Sequence, residues 1–227
     1  MTWVLGNLQL IGQLVLAHLA TALPAIVLSF LLSIPVGWLA NRFHWSRGFV
    51  LTVCALLYAI PSLPLFLVLP LFIGTSIRDS INVTISLTIY GLALMARSTA
   101  DGLESVDADV TQSATAMGFS GWSRFWRVDL PLAGPVLLAG LRVVSVSTIS
   151  LTTVGAVLGI GSLGSLFTDG FQRNIPEEIL TGIVLTIAIA ILIDLALVAL
   201  GRVLMPWTRV KHASASVDRD LSRLAMA

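Results

Sequence analysis

Residues 97–131 read RSTADGLESVDADVTQSATAMGFSGWSRFWRVDLP and lie between two apolar stretches, 81–96 and 134–158. That contrast decides the fold class. The chain is 56% hydrophobic and only 11% charged, whereas a soluble domain carries roughly 25% charged residues. Its solvent is therefore lipid. Lipid cannot satisfy backbone polar groups, so spanning elements must be helices or a closed barrel. Long apolar runs without strict alternation select helices. A charged loop held between two such helices is a surface for something outside the bilayer core.

On either side of this loop, a span needs about 20 apolar residues. The candidates are 21–40, 48–73, 81–96 (reaching toward Ala100), 134–158 and 179–204. The expectation is an all-α polytopic membrane protein of about five spans. A weakly polar lead (Asn7, Gln9, Gln13, His18) either lies at the interface or extends the first helix. Pro61 and Pro64 predict a kink or break in the second span. The stretch 159–178, GIGSLGSLFTDGFQRNIPEE, reads as a Gly-rich link. Residues 1–211 form one transmembrane domain, with 212–227 a polar tail expected to be disordered.

Lysine and arginine set the orientation. Arg42 and Arg47, the loop arginines Arg97, Arg124 and Arg127, and the tail (Arg202, Arg209, Lys211, Arg219, Arg223) fall on one side. The other side has Arg78 and Arg173 with Asp79, Asp169, Glu177 and Glu178. The loop and the C-terminus are therefore expected in the cytoplasm and the N-terminus outside. No Lys or Arg precedes Arg42, so the start lacks the basic region of a secretory signal and reads as a retained span. Trp3, Trp38, Trp45, Trp122, Trp126 and Trp207 fall near span ends or in the loop, as interfacial anchors do.

Several chemistries have no support. A net charge of +1 gives no hint of a nucleic-acid partner. The single cysteine, Cys54, cannot form an intrachain disulfide. His18, His44 and His212 are far apart, so no metal site is expected. A P-loop needs a lysine after its glycines, and the one lysine is Lys211, in Val-Lys-His. No catalytic constellation is present, so no enzymatic activity is expected of this chain. No internal repeat is evident, which argues against an inverted-repeat secondary carrier.

The loop has its own grammar. Asp107-Ala-Asp109 resembles a helix start, with acids near the positive dipole end. Small residues follow at Ser113, Ala114 and Ala116, expected on one face, where another surface can approach closely. Gly118 permits a left-handed turn that ends this helix. Phe119, Trp122, Phe125 and Trp126 form an apolar stripe on the next helical piece, flanked by Arg124 and Arg127. Pro131 marks the start of the next span. Two readings stay open on these grounds: an amphipathic helix on the inner leaflet, or a docking surface for a soluble partner.

The pattern Gln112-Ser113-Ala114, Gly118, Val128-Asp-Leu130-Pro131 resembles the EAA loop of permease subunits of binding-protein-dependent ABC importers. The family motif is Glu-Ala-Ala, three residues, Gly, nine residues, Ile, one residue, Leu-Pro, and the spacing matches throughout. Gln112 stands in place of the acid, Ser113 of the first alanine and Val128 of the isoleucine. The resemblance implies a type I importer permease fold, with loop 101–131 carrying a coupling helix for a cytoplasmic ATPase. Gln112, Ser113, Ala114, Gly118, Phe119, Trp122, Val128, Leu130 and Pro131 are the implied coupling residues. Further segments, Ile34-Pro35-Val-Gly37, Ala59-Ile60-Pro61-Ser62-Leu63, Leu138-Ala-Gly140-Leu-Arg142 and Ile160-Gly161-Ser-Leu-Gly164 among them, look like the osmoprotectant branch. That branch imports glycine betaine, carnitine, choline or proline across the bacterial inner membrane. Implied partners are an ATPase dimer, a second permease and an extracytoplasmic binding protein. ATP and Mg belong to the ATPase, and this chain holds no cofactor. Rival readings are a permease for methionine or another small solute, an ion-coupled carrier and a membrane-embedded enzyme.

Three further features lie in or beside the spans. Arg142, about eight residues into 134–158, and Asp194 in 179–204 have matching depth and opposite sign. They either pair, or Arg142 snorkels while Asp194 faces a cavity or a partner. Pro61, Ser62 and Pro64 break a span, and the freed carbonyls suit either a solute path or a packing kink. Gly161 and Gly164 belong to a segment read as an outer gate or a flexible link.

Overall fold

The computed structural model describes residues 2–42 and 46–209. His44, Trp45, Lys211, His212 and the tail 212–227 lie outside them. The described residues form helices α1 (Thr2–Gly6), α2 (Leu8–Arg42), α3 (Ser46–Ala59), α4 (Ser62–Ile73) and α5 (Ser80–Glu104). There follow α6 (Ala108–Ala116), α7 (Gly121–Arg124), α8 (Leu130–Thr152), α9 (Ser165–Gln172) and α10 (Pro176–Leu204). A π-helical turn, Phe125–Asp129, joins α7 to α8, and a 3-10 segment, Thr153–Leu158, extends α8.

Four helical stretches are long and apolar enough to cross a membrane: Leu8–Arg42, Ser80–Glu104, Gly121–Leu158 and Pro176–Leu204. The second expected span, 48–73, is not straight. α3 and α4 are bent by 103° at the break before Pro61. Pro61 is extended (φ −61°, ψ 140°), and the chain restarts as helix at Ser62, with Pro64 in the first turn, where a missing N–H costs nothing. The carbonyl of Ile60 is not left bare, because the Tyr90 hydroxyl on α5 donates to it. Tyr58 packs edge-on against Tyr90, with ring centroids 5.9 Å apart.

Of the N-terminal lead, Gln9, Gln13 and His18 belong to α2, and Asn7 is the turn between α1 and α2. α2 runs unbroken for 35 residues, about 52 Å, longer than the hydrocarbon core of about 30 Å. The third span also runs past its expected end. α5 continues to Glu104, so the polar loop begins inside a helix.

α5 is the most buried of the long helices and α10 the least. Without a hydrophobic drive between helices in lipid, small residues and interhelical hydrogen bonds decide packing. α2 turns Ala22, Ala25, Ser29, Ser33, Gly37 and Ala40 inward. The Ser29 hydroxyl lies 2.6 Å from the Ala25 carbonyl and 3.1 Å from the Thr88 carbonyl of α5. Thr99 Oγ1 sits 3.1 Å from Ser33 Oγ. A Cβ at Gly91 would lie 2.2 Å from Ser29 Oγ, and one at Gly37 2.5 Å from Thr99 Cγ2. The backbones of α2 and α5 therefore touch at glycine distance.

The expected flexible link between the last two spans is instead structured. It contains α9, and Ser162, Leu163, Gly164 and Leu166 are buried. A Cβ at Gly164 would stand 1.9 Å from the Thr153 carbonyl oxygen, so the glycine is there for contact.

Candidate functional site: the polar loop and the intramembrane pair

The loop is built by local rules. The Asp107 side chain caps α6, accepting from the Asp109 amide at 2.8 Å. At the other end Gly118 has φ +88°. The Phe119 amide donates to Ala114 O at 3.2 Å and the Gly118 amide to Thr115 O at 3.0 Å. Those two bonds form a Schellman cap, which needs the left-handed residue that Gly118 supplies. Ser120 then caps α7, accepting from Ser123 N at 3.3 Å.

Burial sorts the loop residues differently from their spacing. Ala114 is 2% exposed, whereas Gln112, Ser113, Ala116 and Met117 face out. The small residues therefore do not share a face: Ala114 seats the helix, and its neighbours form the free surface. The aromatic stripe is split as well. The π-helical turn closes with the Leu130 amide on Phe125 O, five residues back, which inserts a residue into the helical period. Phe125 is buried, while Trp122 is 67% exposed and Trp126 half exposed. Phe119 and Val128 are half-buried, as are Leu130 and Pro131, the first two residues of α8.

This loop is fastened to three helices. Phe125 meets Trp38 near the end of α2 edge-on at 6.4 Å, and Trp126 at 5.2 Å. Arg124 folds back, its Nη1 donating to Thr115 Oγ1 of α6 and its Nε to Asp129 Oδ2, each at 3.2 Å. Beside it, Arg47 of α3 donates to Asn41 Oδ1 of α2 at 2.8 Å and contacts Asp101 and Glu104 of α5, each at 2.7 Å. Asn41 Nδ2 donates to Ala100 O at 2.7 Å. Single exposed pairs contribute roughly 0–1 kcal/mol, but these share one guanidinium and tie the ends of α2, α3 and α5. A cavity of about 490 Å³ lies between this knot and α7, lined by Arg42, Arg47, Glu104, Trp122, Arg124 and Asp129 among others.

Within the membrane, Arg142 and Asp194 meet. Nε donates to Oδ1 at 2.6 Å and Nη2 to Oδ2 at 2.8 Å, a bidentate fork. The other candidate path residues do not converge. A second cavity, about 440 Å³, is lined by Gly161 with Arg78, Asp79 and residues of α2, but not by Gly164, Pro61, Ser62 or Pro64. Pro61 and Pro64 are exposed and Ser62 half-buried.

Residues 29–210 match the family described as "Binding-protein-dependent transport system inner membrane component". The chain belongs to that family. The permease is 31% identical to the osmoprotectant import permease protein OsmW of Salmonella typhimurium, over 90% of this chain and 96% of that protein. It is also 31% identical to the glycine betaine/carnitine/choline transport system permease protein OpuCD of Bacillus subtilis, over 91% and 90%. Its fold matches an inward-facing structure of the MetNI methionine ABC transporter with a TM-score of 0.78. That match has 20% identity and covers 88% of this chain and 98% of that one. The fold is thus that of a type I importer permease, and the chain is the membrane-embedded transport subunit of a system that uses a binding protein.

The knot around Arg47 was not legible in the permease's sequence. Asp101 and Glu104 are one turn apart on α5 and so share a face, a signal for some cation, but nothing local says that the cation comes from residue 47. The π-helical turn left no readable mark either.

Proposed function

We propose that this chain is the permease subunit of an ATP-driven importer of osmoprotectants such as glycine betaine, choline, carnitine and proline. Solute crosses the inner membrane using ATP hydrolysed by a separate subunit. The observation that carries the reading is near full-length similarity to osmoprotectant permeases: 31% identity over 90% of this chain.

The geometry supplies a mechanism. Two permeases face each other across the solute path, and a cytoplasmic ATPase dimer grips the exposed side of each α6 at Gln112, Ser113, Ala116 and Met117. Gln112 offers an uncharged hydrogen-bonding amide there. The N-terminus faces out and the loop faces the cytoplasm. When the ATPase closes, α6 moves as a rigid piece, because both its ends are capped. Phe125 against Trp38 carries the motion to α2, and the Arg47 knot carries it to α3 and α5. This is rigid-body transmission in a two-state assembly. A binding protein delivers solute at the outer face.

Affinity-tagged permease should co-purify with an ABC ATPase, and uptake of glycine betaine into vesicles should stop on ATP depletion. Uptake that follows a proton gradient and ignores ATP would sink the importer reading. The ion-coupled alternative is less well served, because the chain matches the binding-protein-dependent transport family over residues 29–210.

A further inference from the structure

The Arg142–Asp194 fork sits where an exposed polar group has no ordinary reason to be. Arg142 lies twelve residues beyond the start of α8 at Leu130, about 18 Å along the axis. Asp194 lies ten residues before the end of α10 at Leu204, about 15 Å. Both are near the middle of a hydrocarbon core of about 30 Å. Yet the Arg142 side chain is 43% exposed and that of Asp194 26%. Asp194 uses Nε and Nη2, and Nη1 has no acceptor among the described residues. The exposed neighbours are aliphatic: Ala139, Val143 and Val146 on α8, Ile191 and Leu195 on α10. A guanidinium edge turned to lipid would leave N–H groups unsatisfied, which hydrocarbon does not tolerate. This patch therefore faces a polar surface of the assembled importer, the second permease or the solute path.

We propose that the pair is a zwitterion-binding element of that path. The free edge of Arg142 takes the carboxylate of the solute, and the outward side of Asp194 faces its cationic centre. The element is neutral overall, so it holds neither a bare cation nor a bare anion preferentially. It presents a fixed dipole that a molecule carrying both charges matches, and the surrounding aliphatic side chains accept methyl groups. The inference rests on the solute class proposed above and adds which residues read its carboxylate.

The test uses the purified permease–ATPase complex without the binding protein. Isothermal titration compares glycine betaine, which has a carboxylate, with choline, which has none. The wild type should bind glycine betaine more tightly. Arg142→Gln alone strands Asp194, so the decisive variant is R142Q/D194N, which keeps a neutral, hydrogen-bonding pair. It should assemble, lose about tenfold or more in glycine betaine affinity, and bind choline within about twofold of wild type. An unchanged ratio between the two solutes, equal loss of both, failure of the double variant to assemble, or no binding by the wild type overturns the inference. Vesicle uptake by the wild type separates the two levels. Absent glycine betaine uptake sinks the solute class and this element with it, whereas normal uptake with an unmoved binding ratio sinks the element alone.

Discussion

Two of the glycine-bearing connections between the long helices of this permease use glycine for different reasons. In the polar loop, Gly118 stands in open space with φ +88°. Its value is conformational: it reverses the backbone so that α6 can end in a Schellman cap. In the connection before α10, Gly164 has an ordinary helical φ of −61° but sits against the Thr153 carbonyl. Nearby, a Cβ at Gly170 would lie 2.8 Å from Ile179 Cγ1, and one at Gly182 2.6 Å from Phe167. Glu178 is fully buried in the same hairpin, bonded to Arg173 at 2.6 Å. The first connection is shaped by its own residues, the second by what it touches. A glycine that permits a turn leaves a local signature, and a glycine that permits contact does not.

Substitutions test that contrast. Gly164→Ala should have the largest effect, about 3 kcal/mol of destabilisation, because the added methyl meets backbone that cannot move aside. Thermal unfolding of the purified permease reads it, and a change under about 0.5 kcal/mol would remove the close-contact account. Gly118→Ala comes next, at about 1.5 kcal/mol from the left-handed backbone alone. Gly118→Asn should be milder, since asparagine adopts that region more readily. Both should weaken ATPase co-purification more than they lower the unfolding temperature. Asp107→Ala removes the α6 cap and should cost about 1 kcal/mol. Its readout is solute-stimulated ATP hydrolysis by the complex, which should fall by less than it does for Gly118→Ala. Gly161→Ala is the control. With nothing within 4 Å of its Cβ, it should shift stability by no more than about 0.5 kcal/mol. If Gly161→Ala proved as damaging as Gly164→Ala, the distinction between open and contact glycines would fail.

Legibility followed the same divide at the candidate site. Asp107 as a cap, Gly118 as a left-handed stop and Pro131 at the head of α8 were readable because each acts through its own backbone. Ala114 and Ser113 were indistinguishable in sequence, yet one is buried and the other exposed. The aromatic stripe failed for a related reason. Helical spacing assumes an unbroken period, and the π-helical turn at Phe125–Asp129 breaks it. Arg142 and Asp194 could be matched by depth and sign, but the bidentate geometry and its unbonded Nη1 could not.

That this chain is a bundle of membrane helices follows from its residues alone. Apolar run length and backbone hydrogen bonding in lipid leave no other solution. The residues also set where the polar loop starts and stops its short helix, since caps act within a few residues. Long-range packing settles which small residues meet, that α3 and α4 turn by 103°, and that Arg47 gathers three helix ends. The same packing buries the link before α10. Those outcomes depend on surfaces brought together across more than fifty residues of chain, as between Ser29 and Thr88 or Arg142 and Asp194. No local propensity encodes a contact at that range.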